Sequence, residues 1–166
     1  MNTRDFTNRI DERRPRYSEK YRQLIERISQ KGEKTGRGNV ASFGAFYQTF
    51  MYAYVIGLRL GEPKPLESKE PTTDFAPLSK WKPVQLKDFI LVTLLNRAAD
   101  LGYSWMDLEN ASEETIDTFI KRMQTELESY ANRGLEYLQK MWDEEKVRFE
   151  SPYIFIEILK ELEYKK

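Results

Sequence analysis

From Tyr17 the apolar side chains fall at Tyr17, Tyr21, Leu24, Ile25 and Ile28. That spacing of i, i+4, i+7, i+8 and i+11 marks one face of a helix. Lys31-Gly32-Glu33-Lys34-Thr35-Gly36-Arg37-Gly38 follows, and three glycines among cations predict a mobile basic loop. A second helix is expected from an N-cap at Asn39 or Ser42 through Phe43, Phe46, Tyr47, Phe50, Met51, Tyr54, Val55 and Leu58 to Leu60. Gly61 supplies its stop, with Pro63 and Pro65 beyond. Its apolar residues occupy more than one stripe, which places it centrally. Tyr47, Tyr52 and Tyr54 on it must turn their hydroxyls to water or to partners.

Residues 61–83 hold five of the seven prolines and no sustained apolar period. They predict an irregular connection that either straps across the helices through Leu66, Phe75, Leu78 and Trp81 or binds a partner. Pro83 suits the first turn of a third helix, Val84 to Leu101, read as buried through Leu86, Phe89, Ile90, Leu94, Leu95 and Ala98 and closed by Gly102. A turn spans Tyr103 to Asn110. Asn110 or Ser112 caps the fourth helix, whose face runs Ile116, Phe119, Ile120, Met123, Leu127 and Tyr130. Gly134 is expected to kink this helix or to end it before a further segment, Leu135 to Lys146. Ser151-Pro152 opens a last helix through Ile154, Ile158, Leu159 and Leu162, although the β-branched cluster at Ile154 to Ile156 leaves a strand open.

These elements predict an all-α fold: a single compact domain of five to six helices over residues 17–166, with a long Pro-rich strap at 61–83. Residues 1–16 show no apolar period and carry Asp11-Glu12-Arg13-Arg14-Pro15-Arg16. They read as a basic flexible arm or a short polar helix.

The 166 residues contain no cysteine and no histidine. The usual general base near neutral pH, the usual transition-metal ligands and the thiolate nucleophile are therefore missing. What remains does not assemble a known motif. Ser79-Lys80-Trp81-Lys82 matches S-x-x-K and Lys34-Thr35-Gly36 matches K-T-G, but their order is reversed and the S-D-N element is lacking. Gly32 to Gly38 fits neither phosphate-loop pattern. The carboxylates Glu113, Glu114, Asp117, Glu126, Glu128, Asp143, Glu144 and Glu145 read as the solvated side of the helices, since a ferritin-like di-metal site needs Glu-x-x-His. No enzyme activity, no catalytic residue, no metal and no cofactor are expected.

Net charge is zero, but it is unevenly distributed. Residues 1–37 hold 11 Lys and Arg against 6 Asp and Glu, residues 38–99 hold 7 against 5, and residues 100–166 hold 9 against 16. A basic head and an acidic tail can attract an anionic partner or each other. The head offers Arg9, Arg13, Arg14, Arg16, Arg22, Lys34 and Arg37 as candidate nucleic-acid or anion contacts. Neither a signal-peptide pattern nor a spanning apolar run is seen, so a cytoplasmic protein without membrane contact is expected.

Three segments carry a family resemblance. Phe50-Met51-Tyr52-Ala53-Tyr54-Val55-Ile56-Gly57-Leu58-Arg59, closing with Lys64-Pro65-Leu66, the apolar helix from Lys87 to Ala99, and Glu128-Ser129-Tyr130-Ala131-Asn132-Arg133-Gly134-Leu135-Glu136-Tyr137-Leu138 together resemble the small accessory proteins associated with bacterial DNA phosphorothioation gene clusters, over roughly residues 40–140. Arg133 stands where that family's E-x-Y-A-N-G-G-L-E-x-L segment has glycine. The resemblance implies a non-enzymatic accessory or assembly protein of a DNA-modification or phage-defence system, and it brings no catalytic residue. Two alternatives stay open: a nucleic-acid-binding module using the basic head, and a structural subunit of a larger oligomeric particle. A protein partner or homo-oligomer is expected, with nucleic acid as the alternative partner. Read physically, Asn132 and Gly134 are the residue types that tolerate left-handed backbone at a helix stop. Tyr130, Asn132, Arg133 and Gly134 are thus expected at a corner, either structural or partner-docking.

Overall fold

The computed structural model describes residues 3–29 and 43–164. The described elements run α1 (Thr3–Asp11), β1 (Arg16–Ser18), α2 (Arg22–Ile28), α3 (Phe46–Leu60), β2 (Thr72–Asp74), α4 (Val84–Leu95), α5 (Trp105–Glu109), α6 (Glu113–Glu144) and α7 (Ile154–Tyr164), with single 3₁₀ turns before α2, before α4 and after α6. Helix makes up 68% of the described residues and the only sheet among them is the pair β1–β2, so the all-α class holds. The predicted basic loop, with Lys34, Arg37 and the caps Asn39 and Ser42, lies outside the described residues.

The chain separates into two compact units, one of residues up to Arg16 together with Asp74–Glu128, the other of Tyr17–Thr73 and Ser129 onward. The division falls inside both strands and inside α6.

In the first unit, residues 3–11 form a helix and belong with the unit rather than standing apart as an arm. Ile10 is buried and Phe6 stacks on Phe119 with ring centroids 6.3 Å apart. The core gathers Phe75, Leu78, Trp81, Ile90, Leu94, Phe119, Ile120 and Leu127. Of the residues expected to anchor residues 61–83, Phe75, Leu78 and Trp81 are thus buried, and Trp81 donates its indole N–H to the Ala76 carbonyl at 2.9 Å. The expectation of a buried helix at Val84–Leu101 is corrected. α4 ends at Leu95, and although Ile90 and Leu94 are buried, Leu86, Phe89 and Val92 face solvent. Apolar residues all round a helix do not decide which side meets the core. The predicted turn at Tyr103–Asn110 is the short helix α5, capped by the Ser104 hydroxyl, which accepts from the Asp107 amide at 3.1 Å.

In the second unit, Tyr17 and Ser18 are strand and the helix begins only at Arg22, which corrects the predicted start at Tyr17. α3 packs against α2 and α7. It starts at Phe46, later than expected, because the Gln48 side chain turns back to accept from the Ala45 amide at 2.9 Å. It stops at Gly61, whose φ of +80° is the left-handed conformation glycine supplies without strain. Between α2 and α3 the buried hydroxyls of Ser29 and Thr49 meet at 2.6 Å. Tyr52 keeps its hydroxyl inside, donating to the Phe155 carbonyl at 2.6 Å, and burial raises its pKa.

α6 is one helix of 32 residues. Ser112 caps it as predicted, accepting from the Thr115 amide at 3.2 Å, but it neither kinks into a new segment nor ends at Gly134. The segment at Ile154–Ile156 is helix, not strand.

Candidate functional site

A glycine lets the backbone of a neighbouring helix touch its own, and the second unit uses one such glycine on each of two helices. A Cβ on Gly57 of α3 would stand 1.9 Å from the Tyr130 carbonyl oxygen, and one on Gly134 of α6 would stand 1.8 Å from the Ala53 carbonyl oxygen. Neither glycine has positive φ. Gly134 therefore serves close approach, not a turn, and the predicted corner is corrected to a helix crossing. Asn132 sits mid-helix and 2% exposed, donating its amide to the Lys64 carbonyl at 2.9 Å, while the Lys64 amide donates to the Ser129 carbonyl at 3.0 Å. The Lys64 ammonium pairs with Glu136, and Arg133 donates to the same carboxylate at 2.7 Å. Two of the segments that carry the resemblance are thus fastened to each other inside one unit.

Of the four residues named for docking, Tyr130, Asn132 and Gly134 are buried. Arg133 alone reaches solvent, with its side chain 36% exposed. Beside it α6 presents Glu136, Tyr137, Lys140 and Asp143 to an open trough of about 830 Å³, walled by Tyr21 and Leu60. Burial pushes the Tyr21 hydroxyl up to about 12. Bonding to Lys64 and Arg133 holds Glu136 below the usual carboxylate value, against a burial effect of opposite sign. Glu136, Asp143, Glu144 and Glu145 outnumber Arg133 and Lys140 along this trough, so it does not suit an anion.

The arginine set is largely engaged within the protein. Arg9 of α1 meets Asp5 at 3.3 Å, Asp117 at 3.0 Å and Glu113 at 3.5 Å, and the bond to Asp117 leads the causes that raise its pKa. Arg16 forks onto Glu128, which is 3% exposed, with its backbone N–H at 3.0 Å from Oε1 and its guanidinium at 3.0 Å from Oε2. Gln124 completes that carboxylate at 2.8 Å. In the second unit Arg22 pairs with Glu19 and Glu26. Among the described residues Arg13 and Arg14 make no ion pair, so two of the five described candidates remain for an outside anion. Part of the basic head and acidic tail is therefore neutralised at home: Arg9 belongs to one and Asp117 to the other.

Part of what the sequence reading missed lies on the first unit's surface, while Val147, Tyr153 and Ile156 are exposed on the second. Phe89 and Val92 of α4 are each 53% exposed, and Trp105 and Met106 of α5 are 57% and 79% exposed. Leu108 is the one buried anchor of α5. Single exposed apolar side chains are ordinary, but neighbouring ones such as Trp105 and Met106 form the kind of patch that marks a contact surface. Among the described residues no group of acidic side chains is arranged to hold a metal ion, and no helix is long and apolar enough to cross a membrane. Comparison with protein-family models, with curated proteins and with solved structures finds no match to this chain.

Proposed function

We propose that the protein is a non-enzymatic accessory or assembly factor of a bacterial DNA-modification or phage-defence system that acts through protein contacts. The observation that carries the contact role is the exposed pair Trp105–Met106 on α5. Tryptophan is the side chain most enriched where binding energy concentrates, and methionine adapts to varied partners. Asp107 and Glu109 are exposed on the same short helix, so the partner this surface fits is apolar with a cationic rim. The genetic context comes from the resemblance of the α3 and α6 segments to the phosphorothioation-associated proteins. The nucleic-acid alternative has less support, because Arg9, Arg16 and Arg22 are held by carboxylates.

The test is co-expression of the tagged chain with the DNA-sulfur-modification proteins of its own genome. Recovery of one of those proteins, abolished by Trp105→Ala with Met106→Ala, is the expected result. Recovery of none, or turnover of a nucleotide or nucleic acid by the purified chain, overturns the proposal.

A further inference from the structure

The exposed side of α4 reads the same in both directions. Gln85, Phe89, Val92 and Asn96 are spaced four, three and four residues apart. Those spacings put all four on one line along a helix, the seam geometry of a coiled coil. Phe89 and Val92 are each 53% exposed, and Gln85 and Asn96 are exposed at either end. The order is amide, apolar, apolar, amide. Leu86 at 45% and Val84 at 39% flank the line, while Ile90 and Leu94 hold the opposite side in the core.

We propose that this face binds a second copy of the chain, with the two α4 helices antiparallel. It rests on the reading above that the protein works by protein contacts, but it uses a different surface from Trp105. In the antiparallel register each Phe89 meets the partner's Val92 and each Gln85 meets the partner's Asn96. Apolar groups lie on apolar groups, and two amide pairs close the ends with mutual hydrogen bonds. Asp88 is exposed beside the line, level with the partner's Thr93 in this register, and the charges at the two ends agree with it. Lys80 and Lys82 are exposed before the helix, and Asp100 follows it with its side chain 63% exposed. Arg97 reaches Asp100 only at 3.5 Å and is bound at 3.0 Å to Glu126. Antiparallel pairing brings each lysine end to the other copy's Asp100. A parallel pair would set lysine against lysine and aspartate against aspartate, so charge selects the direction. A twofold pair needs one patch that complements itself, and this one does. The seam is one short helix, less than a standard interface of about 1,600 Å² requires, so the dimer is reversible and depends on concentration.

The chain has no cysteine, which makes direction directly measurable. Full-length Gln85→Cys and Asn96→Cys chains, mixed and oxidised gently, are expected to cross-link to each other, with Gln85→Cys alone giving little product. Equal cross-linking by each variant alone overturns the antiparallel register. Sedimentation equilibrium of the unmodified chain across concentration should show monomer and dimer, and Phe89→Asp should weaken the dimer about tenfold or more, as loss of a central contact does. Circular dichroism confirms that Phe89→Asp folds. A strict monomer at every concentration overturns the pairing. Because Phe89→Asp leaves Trp105 and Met106 in place, capture of a modification protein by that variant, or its loss only in the Trp105 variant, tells failure of the dimer from failure of the accessory role.

Discussion

Two helices of this protein carry apolar residues on more than one side, and they are treated oppositely. α3 is enclosed: Phe50, Ala53, Tyr54 and Ile56 are all fully buried, and Gly57 lets α6 lie directly against its backbone. α4 buries Ile90 and Leu94 and leaves Leu86, Phe89 and Val92 in water. The difference is in the small residues. Ala53 and Gly57 on α3, facing Tyr130 and Gly134 on α6, permit contact that a larger side chain would forbid, whereas the outer face of α4 offers no such seat to any described element.

The sharpest way to break this comparison is to add one methyl group. Gly57→Ala or Gly134→Ala would place a Cβ within 1.9 Å of a carbonyl oxygen that belongs to helix backbone and cannot swing aside. A loss of about 3 kcal/mol or more is expected in urea unfolding, at the upper end of overpacking costs. Gly61→Ala is the control, because nothing lies within 4 Å of its Cβ position and only the positive φ is strained, for which about 1 kcal/mol is expected. Equal losses at the three glycines would refute the close-crossing account.

Next in size is the contrast across α4 itself. Ile90→Ala, at a position 3% exposed, should cost about 2 to 5 kcal/mol through the cavity it leaves. Phe89→Ala one residue earlier should stay within about 0.5 kcal/mol for the isolated monomer. Thermal unfolding at low concentration measures both. A large loss from Phe89→Ala under those conditions would mean that the outer face of α4 is covered within the chain.

Much of this was legible in the sequence and the failures are instructive. The stop at Gly61, the Ser112 cap and the face from Ile116 to Tyr130 followed from local rules, since caps and periodicity act within a few residues. The role of Gly134 did not. Glycine serves both left-handed turns and close approach, and only the position of α3 decides between them. The inner and outer sides of α4 could not be told apart for the same reason: Phe89 and Ile90 are equally apolar, and the inner side is chosen by residues distant in sequence, such as Ile10 and Ile120, which line a common cavity with Leu94. The arginines looked free because their partners Asp117 and Glu128 lie more than one hundred residues away. The exposure of Trp105 was not legible either, since Met106 and Leu108 stand beside it in the same five-residue helix and only Leu108 is buried.

Asn132 tests how tightly the motif segment is tied down. Asn132→Ala removes the bond to the Lys64 carbonyl, and a loss of about 1 kcal/mol is expected, typical of one hydrogen bond. The amide of Lys64 would still be held by the Ser129 carbonyl, so hydrogen exchange at Lys64 should quicken only modestly. Full release of that turn would place the fastening in the Asn132 side chain alone.

The smallest expected effect is electrostatic and has a definite pH signature. Glu136 is held below its ordinary value of 4.5 first by its bond to Lys64 and then, beyond a partial offset from burial, by Arg133. Its folded pKa is thus lower than its unfolded one. The stability it contributes is complete above about 4.5 and drains away as pH falls through the lowered folded value. Lys64→Met removes the main partner and keeps an apolar stem of similar length. Near neutral pH the variant should be less stable by under about 1 kcal/mol, the range of a half-exposed ion pair. That gap should shrink as pH falls below the ordinary carboxylate value. Glu70 also has a lowered pKa; burial raises it, but Ser18, the Glu67 amide and Lys20 together outweigh burial. It is present in both proteins and cancels from the difference. A gap that persists unchanged into acid would assign the contribution of Lys64 to the packing of its stem and not to its charge.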